Sequence, residues 1–151
     1  RLWVQQLHKL SVIFNFTLAF SQAKLGDAAD CLTSQERPLV NQAPWIVNGA
    51  LDYDNQDVGF RARLLYNIIG PRIIQVGAQG LPDIYMQPRH QLDASLSQEA
   101  FEGFRINANA RNIVNDAVRA TYGEEDDGSD VVLQREFRTG VSFSIGASYN
   151  L

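Results

Sequence analysis

Six charged residues fall on alternate positions of otherwise apolar segments. In GFRARLLYNII, Arg61 and Arg63 oppose Phe60, Ala62 and Leu64. Asp52 lies in WIVNGALDY, Asp93 in QLDASLSQ, and Arg105 and Arg111 in FRINANARN. A broad charged face of this kind suits ordinary solvent or a water-filled lumen. The other chemistry-bearing residues are scattered. His8 and His90 are far apart in sequence, and His90 stands beside Pro88 and Arg89 in a connecting stretch. Cys31 is the only cysteine, so it has no disulfide partner and no second thiol for a metal site. The run EEDDGSD, Glu124 to Asp130, holds five carboxylates in seven residues. That composition suits Ca²⁺, but the alternating Asp order of an EF-hand loop is missing, and a solvated loop tip is the preferred reading. GAQG at Gly77 to Gly80 reads as a turn and not as a phosphate cradle. No catalytic constellation emerges, so neither an enzyme nor a cofactor is expected.

The elements that carry these residues have a period of two. From Leu10, the residues Val12, Phe14, Phe16, Leu18 and Phe20 share one face, with Ile13 an exception on the other. Val47, Leu51 and Tyr53 oppose Asn48 and Asp52. Phe60 to Ile68, Leu92 to Leu96, and Phe104 to Ala110 repeat the pattern. GVSFSIGASYNL closes it, with Val141, Phe143, Ile145, Tyr149 and Leu151 on one side and serines and Gly146 on the other. The spacing predicts six antiparallel strands, and RLWVQ could be the tail of a seventh. The best helical candidate, NIVNDAVRA, is short and lies beyond a strand end. The connections alternate strictly in length. DNQDVG and QEAFEG are short, as is the region from Gln6 to Lys9. Residues 25–44, 70–91 and 113–131 are long. An all-β chain is therefore expected.

Two readings compete for the faces. A soluble sheet packs its apolar side inward. A membrane barrel turns that side to lipid, and its polar side lines the lumen. The net charge of -4 gives no electrostatic case for nucleic acid. No stretch reaches the ~20 apolar residues of a spanning helix, a test that says nothing about barrel strands. Aromatics tip the reading toward a barrel. Trp45 opens a strand and Tyr53 closes it. Their separation corresponds to roughly 20 Å of height, at about 3.3 Å per residue and a tilt near 40°. Phe60 and Tyr149 also sit at strand ends. Short turns on one side and long loops on the other are the asymmetry of outer-membrane barrels.

Specific stretches carry a resemblance. Arg37, Pro38, Leu39, Gln42 and Pro44 precede a strand. Tyr66, Asn67, Gly70 and Arg72 form a second group. Pro82, Asp83, Pro88, Arg89, Leu92 and Asp93 form a third, and Ala110, Arg111 and Asn112 a corner before the closing strand. In this order the chain, from about residue 10 onward, resembles the late barrel strands of TonB-dependent outer-membrane receptors. It departs from them in ending on Leu151, where an aromatic residue is usual. Such barrels have about 22 strands around an N-terminal plug. Residues 1–151 would supply only the last six or seven strands as an open curved sheet with long extracellular loops, and no plug.

The resemblance implies a Gram-negative outer-membrane location with the C-terminus in the periplasm. It implies part of a receptor that imports a scarce ligand, such as a siderophore, cobalamin or carbohydrate. The expected partners are outer-membrane lipid, the missing strands and plug, that small-molecule ligand, and TonB only through the plug. Asp52, Arg61, Arg63, Asp93, Arg105 and Arg111 become lumen-facing candidates, and Val141, Phe143, Ile145, Tyr149 and Leu151 a lipid face. An anionic ligand suits the four arginines. Pairing with acids of the plug or of neighbouring strands is preferred, because buried charge needs partners. The first residue is Arg1, with no signal peptide before it, so a mature product or a fragment is expected. The alternative is a self-contained small outer-membrane barrel, or a β-sandwich, acting as a binding or adhesion module. Length alone suits a complete eight-stranded barrel, whereas six strands would be too narrow for the arginines.

Overall fold

The alternating segments pair with one another in chain order. The computed structural model describes residues 8–24, 36–124 and 131–150. Twelve strands occur among them: β1 (Leu10–Leu18), β2 (Ala23–Lys24), β3 (Glu36–Arg37), β4 (Trp45–Asn55), β5 (Phe60–Ile69), β6 (Arg72–Gln75), β7 (Ile84–Met86), β8 (Arg89–Phe101), β9 (Phe104–Arg111), β10 (Val118–Tyr122), β11 (Val132–Phe137) and β12 (Ser142–Tyr149). No α-helix is present among the described residues. The helical candidate instead gives a turn that leads into β10. Its Val118 and Thr121 are β-branched, and β10 finds pairing partners on both sides.

Six strands form one antiparallel sheet in the order β1-β4-β5-β8-β9-β12. They are the six expected from the alternation. The sheet is open: among the described residues β1 pairs only with β4, and β12 only with β9. Its short connections are tighter than the sequence suggests. β4 and β5 are joined by a single 3-10 turn, Gln56–Val58, closed by Gly59 at φ 62°. β8 runs on to Phe101, so the β8–β9 turn shrinks to Glu102 and Gly103. Gly103 takes φ 78°, a left-handed value that glycine adopts without strain. Phe101 and Phe104 stack across this turn with centroids 4.7 Å apart.

The long connections are not plain loops. β6 and β7 come from the second, and β10 from the third, which leads on into β11. Together they form a second sheet in the order β11-β10-β7-β6. β2 and β3 pair within the first connection. Cross-links join the three. The Asn41 N–H donates to the Ile73 carbonyl at 2.8 Å, and the Gly123 N–H donates to the Asp83 carbonyl at 2.9 Å. Arg37 pairs with Asp83 at 3.1 Å, and both side chains are almost fully buried, at 5% and 6% exposure. The same Asp83 carboxylate accepts the Gly77 N–H at 2.6 Å. Gly77 has to be glycine, because a Cβ there would lie 2.1 Å from the Leu81 carbonyl oxygen.

Burial follows this division. Among the described residues, Ala43, Pro71, Ile73, Ile84, Ala117 and Ala120 are the buried apolar ones, and all lie in the long connections. The large sheet buries no residue on any of its six strands.

Candidate functional site

Register puts like with like across the large sheet. One row reads Ser11, Asp52, Arg63, Ser95, Asn109, Ser144 from β1 to β12. The next toward the short turns reads Asp54, Arg61, Ser97, Asn107, Gly146. A third is Glu99, Arg105, Ser148. Toward the long connections an amide row follows: Asn15, Asn48, Asn67, Gln91. Side chains at paired positions lie on the same face of a sheet, so all these groups share one side. Between the first row and the amide row lies a less polar one, Ile13, Ala50, Leu65 and Asp93, so Ile13 is not an isolated exception.

Residues of the three rows nearest the short turns line a concavity of about 900 Å³, with Asp52, Arg61, Arg63 and Arg105 in its wall. Its cations are neutralised within the sheet. The Arg63 guanidinium donates to both Asp52 carboxylate oxygens. Arg61 pairs with Asp54 at 3.1 Å, and Arg105 with Glu99 at 3.3 Å. Each pair joins residues directly opposite on adjacent strands, the placement that favours opposite charges. The preferred sequence reading, pairing with acids of neighbouring strands, describes these three arginines. Their partners Asp54 and Glu99 are hidden in the sequence, since both fall in the short connections DNQDVG and QEAFEG. Extending β4 to Asn55 and β8 to Phe101 brings them into register.

The other two candidates lie elsewhere. Asp93 accepts the Asn112 N–H at 2.8 Å and so holds the corner that ends β9. Asn112 takes φ 56° there and donates to the Gly140 carbonyl at 2.6 Å, which ties the start of β12 to the same corner. Arg111 is opposite Ser142, exposed, outside the concavity and without an ion pair among the described residues.

The opposite face is apolar and uncovered. Its rows include Val12, Leu51, Leu64, Ala94, Ala110, Phe143, and Leu10, Tyr53, Ala62, Leu96, Ala108, Ile145. Phe14 is 71% exposed, Phe143 78% and Ile145 83%. Val141 and Tyr149 are exposed as well, and Leu151 lies outside the described residues. At the short-turn end this face gathers Tyr53, Phe60, Phe101, Phe104 and Tyr149. Phe101, Phe104 and Tyr149 form one register row, and Tyr53 meets Phe60 at 6.1 Å. Phe101 and Phe104 are additions to the aromatic belt expected from sequence. At the other end Trp45 lies over Gly70, where a Cβ would come within 2.9 Å of the indole. The Tyr66 hydroxyl sits 2.6 Å from His90 Nδ1 nearby.

Cys31 and residues 125–130 of the acidic run lie outside the described residues. Among the described residues, no group of three His, Cys, Asp or Glu side chains is placed to hold a metal ion, and no helix is long and apolar enough to cross a membrane. No family model, no curated protein and no solved structure matches the chain.

Proposed function

We propose that this chain forms C-terminal strands of an outer-membrane receptor barrel of the TonB-dependent kind, which imports a scarce small-molecule ligand. One observation carries the reading. The largest sheet buries nothing, leaves its whole apolar face uncovered, and turns a charge-balanced polar face into a concavity. A soluble protein rarely exposes an apolar patch of that extent. A barrel wall needs that arrangement: lipid outside, water and paired charge inside. The aromatic row at the short-turn end and Trp45 at the other end suit the two interfaces of a bilayer. In this reading the short turns face the periplasm and the connection sheet faces outward.

The open edges have a consequence. Unpaired backbone groups in hydrocarbon cost several kcal/mol each, so further strands must pair with β1 and β12. The plug and, through it, TonB would belong to the same larger assembly. No observation favours a sandwich, since a sandwich buries the facing sides of its sheets.

Lipid accessibility tests the proposal. With Cys31 replaced by serine, Ser144→Cys and Ile145→Cys place one thiol on each face of β12. In lipid bilayers a membrane-impermeant maleimide, given access to the lumen, should label the first and spare the second. Equal labelling of both would overturn the membrane reading.

A further inference from the structure

The arginines of this chain divide by place. Those toward the short turns are paired: Arg61 with Asp54, Arg63 with Asp52, Arg105 with Glu99. Arg37, in the connections, is paired with Asp83. Two more stand where the polar face of the large sheet meets the connection sheet. Arg89 opens β8, opposite Ile69, and Arg72 opens β6, opposite Met86. Both are half-buried, and neither makes an ion pair among the described residues. Arg89 has a neutral partner, donating to Gln91 Oε1 at 3.2 Å.

Both border one cavity of about 310 Å³, and no Asp or Glu lines it. Its walls are of two kinds. Arg72, Arg89, Gln87 and Gln91 supply donors and amides, while Met86 and Phe137 supply apolar surface. Gln87 is fixed in place, buried and donating to Thr121 Oγ1 at 2.6 Å. Half-buried cations without a counter-charge are costly. Arg37, which is buried, meets that cost with the Asp83 carboxylate. Here the position is left to an external anion. Guanidinium groups bind carboxylate or phosphate oxygens in a fork geometry. The volume falls at the small end of ligand cavities.

We propose that this cavity binds a small organic anion, a carboxylate or phosphate attached to an apolar body. The anionic oxygens would meet Arg72 and Arg89, and the body would lie against Met86 and Phe137. The inference deepens the receptor reading, on which its place in uptake rests. The site itself needs only the junction of the two sheets.

The test is titration calorimetry on residues 1–151 in detergent micelles, with benzoate, phenyl phosphate and benzamide as probes. Saturable binding of either anion, with benzamide silent, is expected. Arg72→Gln and Arg89→Gln should each weaken binding at least about tenfold, the loss of a charged hydrogen bond. Arg61→Gln, at an arginine already paired, should leave it unchanged. Equal heats from benzoate and benzamide, no binding of either anion, or affinity indifferent to both arginines would overturn the site. So would binding that appears only after Glu125, Asp126, Asp127 and Asp130 are changed to amides, since the counter-charge would then be this chain's own. The maleimide test of β12 reads the membrane proposal separately, so either can fail alone.

Discussion

Two sheets built from one chain obey opposite rules. The large sheet has long strands, strict alternation and extensive pairing, yet it buries no residue. The connection sheet has short, irregular strands, and the buried apolar side chains lie in it and in the connections around it. Their ion pairs differ in the same way. Arg37 and Asp83 are exposed by 5% and 6%, whereas Arg63 and Asp52 are exposed by 56% and 19%. The same chemistry is thus a buried joint in one region and a wet surface pair in the other. The connection sheet carries its own core. The large sheet has none of its own and depends on what covers its apolar side.

Breaking the buried joint gives the largest expected effect. Asp83→Ala leaves Arg37 buried without its carboxylate and the Gly77 N–H without its acceptor, and should cost about 3–5 kcal/mol. Hydrogen exchange should locate the loss in β6, β7 and β10 and spare β5 and β8. Uniform loss across both sheets would erase the distinction between them. Ile73→Ala comes next, at about 2–4 kcal/mol, because Ile73 is 1% exposed. The matched change Ile145→Ala removes similar atoms from an 83% exposed position and should shift thermal unfolding in water little.

Lipid should reverse the second half of that contrast. Ile145 lies near the middle of β12, where a lysine facing hydrocarbon costs about 2–4 kcal/mol. Ile145→Lys is therefore expected to lower the folded fraction in bilayers, read as loss of a heat-modifiable band, and to improve solubility in buffer. No change in bilayers would mean that the apolar face meets something other than lipid.

The large sheet was legible in the sequence because its signal is local. A period of two survives over WIVNGALDY or FRINANARN, and Gly59 and Gly103 mark the turns. Polar rows also follow once register is fixed. The connection sheet was not legible. β6 and β7 span four and three residues, too few for a period to show. Its central joint links residues 46 apart in sequence. Arg37 and Asp83 stood out only as parts of a resemblance, without any sign that they touch. The cavity between Arg72 and Arg89 depends on that same non-local packing. Alternation alone does not choose between lipid and a protein core, since both give it, and only the aromatic placement and the uneven connections favour lipid.

The smallest effects test the wet side of the comparison. Arg63→Gln should cost little, as for exposed pairs generally, despite its two hydrogen bonds to Asp52. A loss as large as that of Asp83→Ala would mean that the concavity is dry. Protonation gives a gentler probe at the junction of the two regions. The His90 backbone N–H donates to Asp116 and holds its carboxyl below the ordinary value, against the opposing effect of partial burial and with smaller help from the Ala117 N–H and the nearby Arg119 charge. A lowered folded value means the carboxylate contributes stability above its unfolded pKa. That contribution is lost as pH falls through the folded value, in the range below about pH 4. The β8–β10 junction should therefore loosen below about pH 4, with faster exchange at the His90 amide. Asp116→Asn should flatten that dependence, because the amide has no carboxylate to protonate in acid while it keeps an oxygen that can accept the His90 N–H.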